Sequence, residues 1–120
     1  MSNKKAKIHY MAAIDIINRK PLTPTEIVDF VAKEYDYTID MLVNSGRIRA
    51  MAQVRSVCYV ILRDLTTLTL KEVAKIFKKD HTTVIHGIKS HYNDFQTNEI
   101  YRQKFEEVSF LVKLKTPKIC

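Results

Sequence analysis

Lys78-Lys79-Asp80-His81-Thr82-Thr83-Val84-Ile85-His86 puts hydrogen-bonding side chains on the first turn of an amphipathic helix, directly after a short basic turn. Asp80 suits the N-cap, where a carboxylate accepts from the free amides of the first turn. The two lysines beside it suit a nearby phosphate backbone. His81, Thr82 and Thr83 then occupy the end of the helix that, in a recognition helix, reaches base edges in the major groove. The chemistry implied is readout: Asp80 can accept from the amino group of cytosine or adenine, and threonine methyls and the imidazole can meet thymine methyls. An ordinary capped surface helix carries the same residue types, so these nine positions alone leave both readings open.

The elements that must hold this turn can be read on either side of it. Thr69 can cap a short helix over 70–77, with Leu70, Val73 and Phe77 inward and Lys71 and Lys75 outward. The helix from Asp80 is expected to run to about Asp94. Ile85, Ile88, Tyr92 and Phe95 form its apolar stripe, and Thr82, His86, Lys89 and Asn93 line up on another side. Two short helices and a tight turn make a helix-turn-helix. Upstream, Thr23-Pro24-Thr25-Glu26 is a capping box for a helix to about Glu34, with Ile27, Val31 and Tyr35 inward. Thr38 can cap a short turn through Met41 and Leu42, and Gly46 is the expected break. The longest helix is expected from about Ile48 to Leu65, its core stripe being Met51, Val54, Val57, Cys58, Ile61 and Leu65. Arg55 and Arg63 lie off that stripe, where a solvated surface is one reading. Tyr101, Phe105, Val108 and Leu111 or Val112 mark a last helix over about 98–113. A leader helix over about 6–18 and a frayed tail from Lys115 complete the plan. The expected organisation is a leader over 1–20, one helix-turn-helix domain over 21–115 and a tail over 116–120, all-α throughout.

Composition agrees with helices on short loops: 46% of the 120 residues are hydrophobic, and there are only two glycines and three prolines. Charge is unevenly placed. Arg47, Arg49, Arg55, Arg63, Lys71, Lys75, Lys78, Lys79 and Lys89 face only Asp64, Glu72 and Asp80 between Arg47 and His91, so this segment carries nearly all of the formal net charge of +7. Such clustering favours a polyanionic partner. Cys58 sits among apolar residues and Cys120 is far from it, so a disulfide framework is not expected. No apolar run is long enough to span a bilayer and no secretory leader is legible, which makes the cytoplasm, in association with the nucleoid, the expected location.

Most of the chain, from about Pro24 to Leu114, resembles the C-terminal DNA-binding domain of the bacterial replication initiator DnaA, a Trp-repressor-like helix-turn-helix. Asp80, His81, Thr82 and Thr83 match the family's base-reading cluster, with His86 one turn further on. Asp64-Leu65-Thr66 matches its Glu-Leu-Thr, and Leu70-Lys71-Glu72-Val73 is similar to its Leu-Pro-Glu-Ile. The resemblance implies major-groove readout by Asp80, His81, Thr82, Thr83 and His86, and minor-groove insertion by Arg47, the closer match, or Arg49. It implies phosphate contacts at Arg55, Ser56, Arg63, Lys71, Lys78, Lys79 and Lys89. Ser56 stands where glutamine is usual. The turn Phe77-Lys78-Lys79-Asp80 is one residue shorter than the family's and lacks its glycines, which bears on the register of the helix in the groove. A Gly-x-x-x-x-Gly-Lys-Ser/Thr loop is missing from the sequence and 120 residues leave no room for an ATPase domain, so neither nucleotide nor any other cofactor is expected.

Three classes of function compete. The first is sequence-specific binding of double-stranded DNA in replication initiation, its regulation or transcriptional control, in a bacterium, phage or mobile element, with replication proteins as further partners. The second is a helical interaction module whose basic face meets an acidic replication or virion protein. The third is an enzyme, and little supports it. His81, His86 and His91 recur every five residues, so each is rotated about 140° from the last and they do not converge on a metal. Asp64, Glu72 and Asp80 fall on different elements, and Cys58 has no evident base.

Overall fold

Five of the six helices among the described residues open on a side-chain cap, and that local chemistry sets the frame of the domain. The computed structural model describes residues 22–116; the expected leader helix lies outside the described residues. The helices are α1 (Pro24–Glu34), α2 (Ile39–Asn44), α3 (Arg49–Leu65), α4 (Leu70–Ile76), α5 (His81–Thr97) and α6 (Glu99–Lys115), and no strand occurs among the described residues. Thr23 and Thr69 each accept from the third backbone amide of their helix, while Glu26 and Glu72 reach back to the capping residue, giving two capping boxes. Thr38, Asp80 and Asn98 cap α2, α5 and α6. Each such cap stabilises its helix by about 1 kcal/mol.

Helix α3 is the axis on which the rest is hung, packing against all five other helices and most extensively against α5. Val54, Val57, Cys58, Ile61 and Leu62 face the core, with Met51 and Leu65 half-buried at the ends of the stripe. Tyr59 is buried on another side and meets Phe77 edge to face at 5.2 Å. The core is completed by Ile27, Val28, Val31 and Ala32 of α1, Val73 and Ala74 of α4, Val84 of α5, and Val108 and Val112 of α6.

Three expectations are corrected. On α5 the inward line is Val84, Ile88, His91 and Phe95, whereas Tyr92 is 54% exposed. Ile88 and Phe95 keep their expected places, while Val84 and His91 replace Ile85 and Tyr92 because a histidine occupies a core position. Next, Lys115 ends α6, and the buried Thr116 accepts from the Leu22 amide at 3.1 Å, so these two residues belong to the domain. Finally, Arg55 and Ser56 are buried, each 6% exposed. The sequence alone suggests a surface arginine because it does not show the carbonyls of Leu42 and Gly46 that receive it.

Candidate nucleic-acid interface

Helix α4 ends in a Schellman turn. The amides of Lys78 and Lys79 donate to the carbonyls of Lys75 and Ala74, and Lys78 adopts φ 55°. Glycine normally occupies that left-handed position. The turn therefore closes without the glycines of the family pattern and delivers Asp80 to the N-cap of α5.

There the Asp80 carboxylate accepts from the Thr83 amide at 3.0 Å and from the Thr83 hydroxyl at 3.3 Å. The amide bond is the main reason its carboxyl is held below the usual range, so at neutral pH Asp80 is an ionised acceptor. His81, Thr82, Thr83 and His86 are all exposed. The Thr82 amide also turns towards the Asp80 carboxylate, while the side chains of His81 and Thr82 are exposed on the outer face of the turn. Lys89 and Asn93 continue the exposed row towards the C-terminus of the helix.

Beside that row runs a shallow groove of about 400 Å³. Arg47, Arg49, Ala52 and Gln53 line one wall, Thr83, His86, Gly87, Ser90 and Asp94 the other, and Arg55, Ser56 and Tyr59 also line it. The loop arginines and helix α5, 30 to 40 positions apart in sequence, thus share one feature. Gln53 donates to Asp94 across it at 3.4 Å. Gly87 explains the close approach of its walls: a Cβ there would lie 2.7 Å from the Tyr59 ring and 3.1 Å from Ser56 Oγ. Sequence reasoning missed Gln53, Gly87, Ser90 and Asp94. A glycine inside a helical pattern was the available signal, since it commonly marks close packing.

The remaining candidate residues lie elsewhere. Lys71, Lys78 and Lys89 are exposed and Lys79 is half-buried. Arg63 is exposed and donates to the Leu68 carbonyl at 2.6 Å, bracing the loop before α4. Arg55 donates inward, to the carbonyls of Leu42 and Gly46 and to the Ser45 hydroxyl, and Ser56 donates to the Ala52 carbonyl at 3.0 Å. A second, largely apolar cleft of about 870 Å³ lies on the opposite flank of α5, lined by Ile61, Leu70, Ile85, Ile88, Tyr92 and Phe105, among others, with Arg63, Lys89 and Lys113 also contributing.

Burial pushes the Cys58 thiol well above its ordinary range, which disfavours the thiolate. No group of three His, Cys, Asp or Glu side chains that could hold a metal occurs among the described residues. No described helix is long and apolar enough to cross a membrane.

A capped helix following a tight turn, beside a basic groove, defines a helix-turn-helix protein. Residues 24–90 match the family described as bacterial dnaA protein helix-turn-helix, and the chain belongs to that family. It is 38% identical over 80 residues to the chromosomal replication initiator protein DnaA of Bifidobacterium animalis subsp. lactis, covering 65% of this chain and 14% of the relative. Against the same protein from Aquifex aeolicus it is 32% identical over 96 residues, covering 79% and 23%. Against that of Caldanaerobacter subterraneus it is 29% identical over 114 residues, covering 93% and 26%. The chain thus spans about a quarter or less of the curated relatives it matches. Membership supports DNA binding as the broad role.

Proposed function

We propose that this chain binds double-stranded DNA sequence-specifically and acts in replication initiation or its regulation, as the name of its relatives suggests. The observation that carries the reading is the groove in which exposed Arg47 and Arg49 face Thr83 and His86, next to the exposed side chains of His81 and Thr82. In this reading the first turn of α5, from Asp80 to Thr83, with His86, meets base edges in the major groove while Arg47, or its neighbour Arg49, enters the adjoining minor groove. Arg63, Lys71, Lys78, Lys79 and Lys89 fix the body on phosphates. Arg55 and Ser56 leave the phosphate set because they are buried. Competition with an initiator at its boxes, marking of a phage or mobile-element origin, and repression of a promoter are all compatible with such a reader. Its place would be with the nucleoid in the cytoplasm, with replication proteins as further partners.

Selection from random duplex DNA followed by sequencing tests this directly. Replacing His81 or Thr82 by alanine is expected to weaken binding to the selected duplex by about 1 to 3 kcal/mol, with much less effect on a scrambled one. If both variants stay helical and discriminate as well as the parent, α5 is not the reader.

The apolar cleft favours a second reading. Its floor of Ile85, Ile88 and Tyr92 with Arg63, Lys89 and Lys113 nearby suits an acidic amphipathic segment of a replication or virion protein. Salt-independent indifference to every duplex would shift the balance to it.

A further inference from the structure

We infer that Arg55 is a positioning residue: its guanidinium fixes the loop before α3 and so sets where Arg47 lies relative to the reading helix. This rests on the DNA-reading role proposed above, and it replaces the phosphate contact that the family resemblance implies for the same side chain. Nη1 of Arg55 donates to the Leu42 carbonyl at 2.8 Å and to Ser45 Oγ, and Nη2 donates to the Gly46 carbonyl at 2.7 Å. Both terminal nitrogens of the planar fork are therefore engaged inside the protein. Their three acceptors run from α2 to the residue immediately before Arg47.

The need for such a brace is visible at the N-terminus of α3. Ile48 supplies no side-chain cap, unlike the capping residue of each other described helix. The loop is held instead by a side chain two turns inside α3. Gly46 adopts φ +66° with nothing within 4 Å of where a Cβ would stand, so glycine is favoured there for its backbone conformation and not for space. The Gly46 carbonyl that results is one of the acceptors of Arg55. On the same stretch of α3, Ser56 and Tyr59 receive Gly87 of α5. One turn of α3 thus registers both DNA-reading elements, the Arg47 loop through Arg55 and the recognition helix through its neighbours. A minor-groove arginine reads width and potential, so displacing Arg47 changes sequence preference.

The test uses the full chain, the duplex recovered by random selection and a scrambled duplex. Arg55→Lys keeps the charge but not the fork, and Ser45→Ala removes one acceptor while leaving every cation in place. Arg55→Lys should bind the selected duplex roughly five- to tenfold more weakly and the scrambled duplex unchanged. Ser45→Ala should shift preference in the same direction by less. Adding Arg47→Ala to either variant should then bring a smaller loss than Arg47→Ala alone, because the preference it supplies is already impaired. Wild-type discrimination by Arg55→Lys, or equal weakening on both duplexes, would overturn the role. Should circular dichroism show Arg55→Lys unfolded, the Ser45→Ala and Arg47→Ala pair decides, and additive losses count against it. A wild-type chain that binds no duplex sinks the DNA-reading proposal itself, a result seen before any variant is made.

Discussion

At the scale of single residues, the informative positions are those whose chemistry conflicts with their place. Arg55 is a cation in the interior, His91 a polar ring in the core, Gly87 a poor helix former in the middle of a helix, and each conflict is resolved by neighbours that can be named. For Gly87 the neighbour is Tyr59, whose ring would lie 2.7 Å from an added Cβ. Alanine at position 87 gains up to about 1 kcal/mol of helix propensity over glycine. Overpacking against a buried ring works the other way by about 1 to 3 kcal/mol. Clash is expected to win, because Tyr59 is itself pinned edge to face on Phe77. Gly87→Ala should lower the urea midpoint and weaken discrimination between duplexes together, since the same contact sets the groove. A variant as stable as the parent would show that the Tyr59 ring moves aside freely.

At the scale of elements, what was legible follows from how far the deciding interaction reaches. Thr23, Thr38, Thr69 and Asp80 announce their helices because a cap is settled within four residues, whereas Asn98 is seen as a cap only in the structure. The phase of α5 is legible only in part: Ile88 and Phe95 face inward as their spacing implies, but Ile85 and Tyr92 look like core, and the packing of α6 draws His91 in instead. The inward turn of Arg55, whose acceptors are backbone carbonyls 9 to 13 residues away, is not legible. The α4–α5 turn lies between these cases, since its shortness was visible but its solution was not. Lys78 sits at φ 55°, a region that costs a non-glycine residue about 1 kcal/mol or more. Lys78→Gly should remove that strain, partly offset by the greater freedom of the unfolded chain, for a change between neutral and about 1 kcal/mol stabilising. The same variant loses a cation and should bind selected and scrambled duplexes equally less well. Thermal melting and duplex titration moving in opposite directions would separate the two roles, whereas a destabilised variant would mean that the lysine side chain itself holds the turn.

Taken whole, the molecule keeps its excess charge apart from its aromatic packing. Most of its excess charge lies on the segment containing α3, α4 and the start of α5, while the aromatic junction of α5 with α6 carries packing. Lys71→Ala and Lys79→Ala should therefore each flatten the dependence of log affinity on log salt by roughly one unit without changing the preferred sequence. A loss confined to the selected duplex would move that lysine among the base readers. Stability has its own handle at His91, which is 1% exposed, shares a 2.7 Å hydrogen bond with the Tyr101 hydroxyl through Nδ1 and lies 4.5 Å, ring to ring, from Phe105. Burial holds its pKa below the ordinary 6.5, with Asp94 acting weakly the other way. As pH falls, the unfolded chain thus takes up this proton before the folded one does. Stability is fully present above about 6.5 and declines as pH falls from there towards the lowered folded value, by at most about 1.4 kcal/mol per pH unit. Urea unfolding between pH 7.5 and 5.5 should show that decline in the parent and a flatter profile in His91→Leu, even though the variant loses the Tyr101 bond and starts from a lower midpoint. Parallel profiles for the two proteins would mean that the acid sensitivity of the fold arises elsewhere than in the α5–α6 junction.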